Sequence, residues 1–190
     1  MTQTLTTNPL KPFKRLYSLE EFFKMGEAGL FKDQRVELID GEVIVLPPQG
    51  FKHSGEIALL NERLRDSLAA RAVTWVQSPL ILESVSKAYV EPDISLLRPP
   101  VEQYRQRFVT PADVLLVIEV SVSTLETDRT EKLELYAKNG IPEFWIVNLE
   151  SRQLEVYREP EGKIYRVKLT LSEDHAVAPL EFPDAEIRWW

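Results

Sequence analysis

Val114-Leu115-Leu116-Val117-Ile118-Glu119-Val120 opens on five consecutive aliphatic side chains with no polar alternation. A strand with one wet face alternates, so a continuous run reads as a strand covered on both faces, inside a layered sheet. Its length and β-branched residues favour a strand over a buried helix. The run ends on a carboxylate. Burying Glu119 costs several kcal/mol unless it is neutralised, paired or bound to a cation; the bland alternative is a strand end that has already reached solvent.

Downstream, Ser121, Ser123 and Thr124 offer caps for a helix over about residues 124–139. Leu133, Tyr136 and Ala137 form its apolar stripe and Gly140 stops it. A strand over 143–149 follows, then strands over 153–158 and 163–169 flanking Glu159-Pro160-Glu161-Gly162 as a C-terminal hairpin. Upstream, residues 35–39 and 42–46 flank Asp40-Gly41, the strongest short hairpin signal, because both turn positions want positive φ. Ser18 and Glu21 make a capping box for a short helix. Ile57, Leu60, Leu64 and Leu68 share one face of a helix over about 53–72. Residues 73–77, 79–82 and 89–97 read as strands, the last interrupted by Pro92, and residues 98–112 read as a proline-bounded loop. The expected architecture is α/β: a mixed β-sheet flanked by helices, with β-hairpins toward each end. It occupies residues 15–190 as one domain behind a flexible tail, residues 1–14.

At 190 residues the chain can bury a sizeable core. It has no cysteine, which removes disulfides, thiolate metal sites and thiol nucleophiles. Two histidines, His53 and His175, exclude a three-histidine zinc site, and no glycine-rich phosphate loop occurs. Polar chemistry falls to carboxylates, lysine, arginine and hydroxyls. A net charge of −7 argues against a non-specific nucleic-acid coat, since phosphate binding depends on lysine and arginine. It leaves room for an enzyme that meets phosphate through a metal. No apolar run approaches the ~18 residues of a membrane span, and the first residues carry no secretory signal. The cytoplasm is the expected compartment.

Hard cations such as Mg²⁺ take oxygen ligands, commonly one or two carboxylates with water and substrate phosphate. Asp93, beside the strand-distorting Pro92, and Glu119 are the pair best placed to supply them. Glu37 lies between Val36 and Leu38, where alternation alone would turn it to water. Lys132 follows Glu119 on the next helix, with Asp128 one turn before it. By itself that pair reads as a surface i,i+4 contact of a few tenths of a kcal/mol, so that replacing Lys132 would barely affect folding. Arg98, Arg105 and Arg107, in the loop after the Asp93 strand, are expected to line the approach to the cleft.

Glu37-Leu38-Ile39-Asp40-Gly41-Glu42, His53, Glu91-Pro92-Asp93-Ile94, residues 118–124, residues 128–136 and Gly140-Ile141-Pro142-Glu143-Phe144-Trp145-Ile146-Val147 occur together and in order. This series resembles the Uma-two type restriction endonucleases, a branch of the PD-(D/E)xK nuclease superfamily. The resemblance implies a restriction-endonuclease-like core with a divalent-metal site at a sheet edge, using Mg²⁺, with Mn²⁺ as a substitute. Carried over residue by residue, Asp93 matches the motif aspartate and Glu119 the second acid. Glu37 resembles an additional acidic ligand. The superfamily's lysine position falls on Ser121, which supplies no charge, and Lys132 resembles a lysine moved to the following helix. His53 receives no transferred role; with Ser121 and Asp128 it is an accessory candidate. The implied activity is metal-dependent hydrolysis of phosphodiester bonds in DNA, leaving 5′-phosphates. The alternative is a catalytically silent nuclease-like scaffold for dimerisation or nucleic-acid binding, and a hydrolase of another phosphorylated substrate is the third reading. A homodimer is one arrangement that the terminal Trp189-Trp190 pair allows; burial in the chain's own core is the other.

Overall fold

The computed structural model describes residues 14–82, 87–122 and 124–190. The expected N-terminal tail and the Ser123 cap therefore lie outside the described residues, apart from Lys14. In chain order the elements are α1 (Leu19–Glu27), β1 (Arg35–Ile39), β2 (Glu42–Leu46), α2 (Phe51–Leu68), β3 (Val73–Val76), β4 (Leu80–Leu82), β5 (Ala88–Val90), β6 (Ile94–Leu97), β7 (Val114–Ser121), α3 (Leu125–Thr127), α4 (Leu133–Lys138), β8 (Glu143–Asn148), β9 (Gln153–Glu161) and β10 (Ile164–Ser172).

The aliphatic run is β7, buried along its whole length. It lies inside a six-stranded sheet ordered β10-β9-β8-β7-β6-β3, parallel to β8 and antiparallel to β6, so the sheet is mixed. Leu116, Ile118 and Val120 pack against Ile57, Leu60 and Leu64 of α2 and against Ile187 and Trp189. Val117, on the other face, packs with Leu135 and Tyr136 of α4 and with Leu80, Leu82 and Val90. Period-two alternation puts Glu119 and Ser121 on this second face, beneath the helix that follows. Trp189, 1% exposed, is buried in the chain's own core.

The N-terminal hairpin forms as the Asp-Gly signal requires, with φ of 50° at Asp40 and 85° at Gly41. It does not stand apart: β1 pairs with β5 to give a second, antiparallel sheet, β2-β1-β5-β4. The strand expected over residues 89–97 is two strands in different sheets. Pro92 has no N–H to continue a ladder, and the chain crosses between sheets at Glu91-Pro92-Asp93. The second hairpin turns at Gly162, later than expected, and β9 runs on through Pro160. The pairing of β8 with β9 stops at Arg158, so Pro160 lies where β9 has only β10 beside it and no donor is needed on the far side.

The helix after β7 is not uniformly α. Between α3 and α4 residues 128–132 form a π turn, which widens the helix by one residue per turn. Arg129 leaves this segment toward Glu155 of β9, a carboxylate only 2% exposed. Arg129 Nε lies 3.0 Å from Glu155 Oε1, Lys168 Nζ lies 3.0 Å from Oε2, and the Tyr157 hydroxyl donates to Oε2. Burial alone would raise the Glu155 pKa, but these donors hold it down to about 2. A carboxylate depressed in the folded state contributes stability that is present above its unfolded pKa and lost as pH falls through the folded one. Glu155→Gln is therefore expected to cost about 1–2 kcal/mol at neutral pH, because its partly exposed partners are screened by solvent. The gap in melting temperature from wild type should narrow steadily from pH 6 toward pH 2; a gap independent of pH would contradict this role.

Candidate active site

Asp93 sits one residue before Ile94, which pairs with Ile118, so the sheet itself brings Asp93 beside the C-terminal end of β7. Its Oδ2 accepts the Val120 N–H at 2.9 Å and lies 3.0 Å from His53 Nε2; its Oδ1 is 3.4 Å from Gln77 Nε2. His53 is the third residue of α2, and its Nδ1 is buried without a partner. Glu119, 4% exposed, accepts two bonds on one oxygen: Lys132 Nζ at 2.9 Å and the Tyr136 hydroxyl at 2.7 Å, both on Oε1. Glu37 is fully buried, so the solvent-facing alternative at this position does not hold. Its Oε1 accepts the Glu91 N–H at 2.9 Å and lies 3.6 Å from Lys132 Nζ, while its Oε2 is buried with no hydrogen-bond partner. Glu37 and Glu119 thus share a pattern, with one oxygen anchored and the other unclaimed by any protein donor.

The π turn explains why the helix serves this cluster. Asp128, Lys132 and Tyr136 are spaced by four residues, and on a 3.6-residue turn each such step drifts forward around the axis. Widening the first turn offsets that drift, so all three side chains reach the same face of the sheet. Asp128 does not close an ion pair with Lys132. Its Oδ2 accepts Ser121 Oγ at 2.5 Å and Thr124 Oγ1 at 2.8 Å, which fixes the helix over the end of β7. Lys132 is 8% exposed, so the expected solvated lysine is a buried one.

Four buried carboxylates share the Lys132 ammonium here. Burial pushes the Glu119 carboxyl up to about 8; the Lys132 ammonium pulls it back only in part, and Asp93, Asp128 and Glu37 add to the rise. Burial works against the Lys132 ammonium as well, but Glu119, Glu37 and Asp128 outweigh it and hold the proton on. Asp128 is raised by burial despite Lys132 and its two hydroxyl donors, and burial beside Glu119 keeps the Tyr136 phenol protonated. A site with this balance favours further positive charge.

Glu37, Asp93, Glu119, Lys132, His53 and Asp128 all line one cleft of about 390 Å³. Arg98, Arg105 and Arg107 are not among its lining residues. The reason is topological: β6 carries the chain away from Asp93, so the loop joining it to the antiparallel β7 leaves from the opposite end of the sheet, and Phe108, late in that loop, lines a neighbouring hollow and not the cleft itself. There Arg107 pairs with Asp113 at 2.6 Å and Arg98 lies 3.6 Å from Glu181. The basic residues of the cleft besides Lys132 are Arg35 and Lys52. Sequence reading also left Tyr136 in the apolar stripe. The signal available was its four-residue step from Lys132, together with a phenol that needs a partner when buried.

This arrangement, a mixed sheet with helical cover and acidic residues with a lysine at one strand end, is a restriction-endonuclease-like fold. A family model described as "Uma2: Putative restriction endonuclease" matches residues 19–189, and the chain belongs to that family. Among solved structures, one described as a "putative nuclease belonging to DUF820" from Anabaena variabilis is 20% identical, with a TM-score of 0.66 over 87% of this chain and 90% of that one. No curated protein matches the sequence.

Removing Lys132 leaves buried carboxylates without their counter-charge, a change that typically costs 3–5 kcal/mol. Lys132→Met is expected to lose about that much at pH 9 by chemical denaturation, where Glu119 is ionised, and less at pH 6, where burial keeps Glu119 protonated. A loss of a few tenths of a kcal/mol at both pH values would restore the surface-pair reading.

Proposed function

We propose that residues 15–190 act as a single nuclease domain, in the cytoplasm, hydrolysing phosphodiester bonds in DNA with a divalent cation. The observation that carries this reading is the convergence of Glu37, Asp93, Glu119 and Lys132 in one cleft, with carboxylate oxygens left over after every protein donor is assigned. Among the described residues no three His, Asp or Glu side chains already form a ligand set. A hard cation needs fewer: one or two carboxylates, with water and substrate phosphate completing the shell. The all-oxygen donor set and the unpartnered Glu37 Oε2 fit Mg²⁺ or Mn²⁺.

Asp93 and Glu119 would hold the ion, with Glu37 as an outer-shell or second-metal ligand. The bound ion supplies Lewis acidity toward the scissile phosphate and lowers the pKa of a water. Lys132, committed as a cation by the surrounding carboxylates, stabilises negative charge gathering on the phosphate oxygens, preorganised and shielded from water. His53 and the Val120 N–H fix Asp93, while Tyr136 and Lys132 fix Glu119, so that neither carboxylate must reorient when substrate arrives.

Wild-type protein should nick plasmid DNA with Mg²⁺ or Mn²⁺ and not with EDTA, and either ion at millimolar concentration should raise the melting temperature through native-state binding. Lys132→Met should lower cleavage by about 10² or more while leaving the ion-induced rise in place. Tyr136→Phe keeps the ring and loses the hydroxyl; it should weaken Mn²⁺ affinity by about 10- to 100-fold. A wild-type protein that neither cuts nor responds to either ion would favour the scaffold reading.

A further inference from the structure

Resting on the nuclease reading above, we propose that the cleft receives its nucleic acid as an unpaired single strand, whose bases stack on exposed aromatic rings in the cleft and in a hollow that adjoins it. Phe51, the first residue of α2, lines the cleft next to Pro47 and Pro48, yet 87% of it remains in solvent. Burying such a ring is worth about 1.5–3 kcal/mol, and nothing in the fold takes that gain. Arg35 and Glu91 line both this cleft and a second, adjoining hollow of about 640 Å³. The second hollow is walled by Phe22, Phe23, Phe31, Tyr89 and Phe108. Phe108 is 50% exposed and stacks on Phe23 at 5.5 Å with an 8° tilt, at the edge of the hollow. Glu27 and Gln34 line it as well, placing donors and acceptors where base edges would lie.

Size and charge point the same way. A cleft of about 390 Å³ encloses a ligand on the scale of one nucleotide. A surface reading intact duplex covers about 1,000–2,500 Å² of protein and depends on many phosphate contacts from lysine and arginine. Here the chain carries −7 overall, Lys132 is committed to Glu119 and Glu37, Arg35 lies 3.9 Å from Glu91, and Lys52 is the remaining lysine or arginine of the cleft. Base stacking on aromatic rings needs no such surplus of positive charge and contributes about 1–3 kcal/mol per base.

The test is fluorescence anisotropy in EDTA with a labelled oligodeoxynucleotide, single-stranded and as its duplex. The single strand should bind at least about tenfold tighter. Phe51→Ser and Phe108→Ser should each weaken single-strand binding by about 5- to 150-fold, the fold-change equivalent of one lost stacking contact, with the melting temperature of Phe51→Ser unchanged because its ring is 87% exposed. Phe51→Trp should retain binding. Equal or tighter duplex binding, or serine variants that bind like wild type, would overturn the proposal while leaving metal-dependent nicking intact. Stacking-dependent single-strand binding by a protein that never cuts would keep this proposal and remove the nuclease one.

Discussion

The ammonium of Lys132 lies 2.9 Å from Glu119 and 3.6 Å from Glu37, and these contacts let acidic side chains leave water at one end of a hydrophobic sheet. Without it, Glu37, Glu119, Asp93 and Asp128 would concentrate negative charge in a region of low dielectric, at a cost of several kcal/mol per ion. With it, part of that charge is offset, and the cluster keeps unassigned oxygen atoms. The rest of the local structure serves that contact. The π turn aims Lys132 and Tyr136 at the same carboxylate, and Asp128 pins the helix to Ser121 at the end of β7.

Much of the fold was legible in the sequence because its signals are local. The β7 run, the Asp40-Gly41 turn, the Ser18–Glu21 capping box and the α2 stripe each specify their own structure within a few residues. Sheet membership was less legible. Nothing local to residues 89–97 tells that Pro92 divides them between two sheets, because that depends on β1 being available to pair with β5. Pro160 likewise reads as a turn residue until the early end of β8 is known.

The site was legible as a set of residues more than as an arrangement. Asp93, Glu119 and Lys132 were singled out by a costly carboxylate and by a resemblance, and they do meet in one cleft. The environment of Lys132 was not legible, because the surface-pair reading assumes a regular α-helix and the π turn changes which residues face inward. The loop arginines were misplaced for a simpler reason: nearness in sequence to Asp93 is separation in space once a strand intervenes. Tyr136 was hidden by its own chemistry, since an aromatic ring in an apolar stripe gives no hint of where its hydroxyl points.

The central claim is that Asp93 and Glu119 together hold a cation while Lys132 stays a neighbour and not a ligand. A crystal of the protein soaked in Mn²⁺ and measured for anomalous scattering tests this directly. The account predicts one anomalous peak in the cleft, within ligand distance of both carboxylates, with Lys132 still bonded to Glu119 Oε1. No peak in the cleft, or a peak held by other side chains, would contradict it.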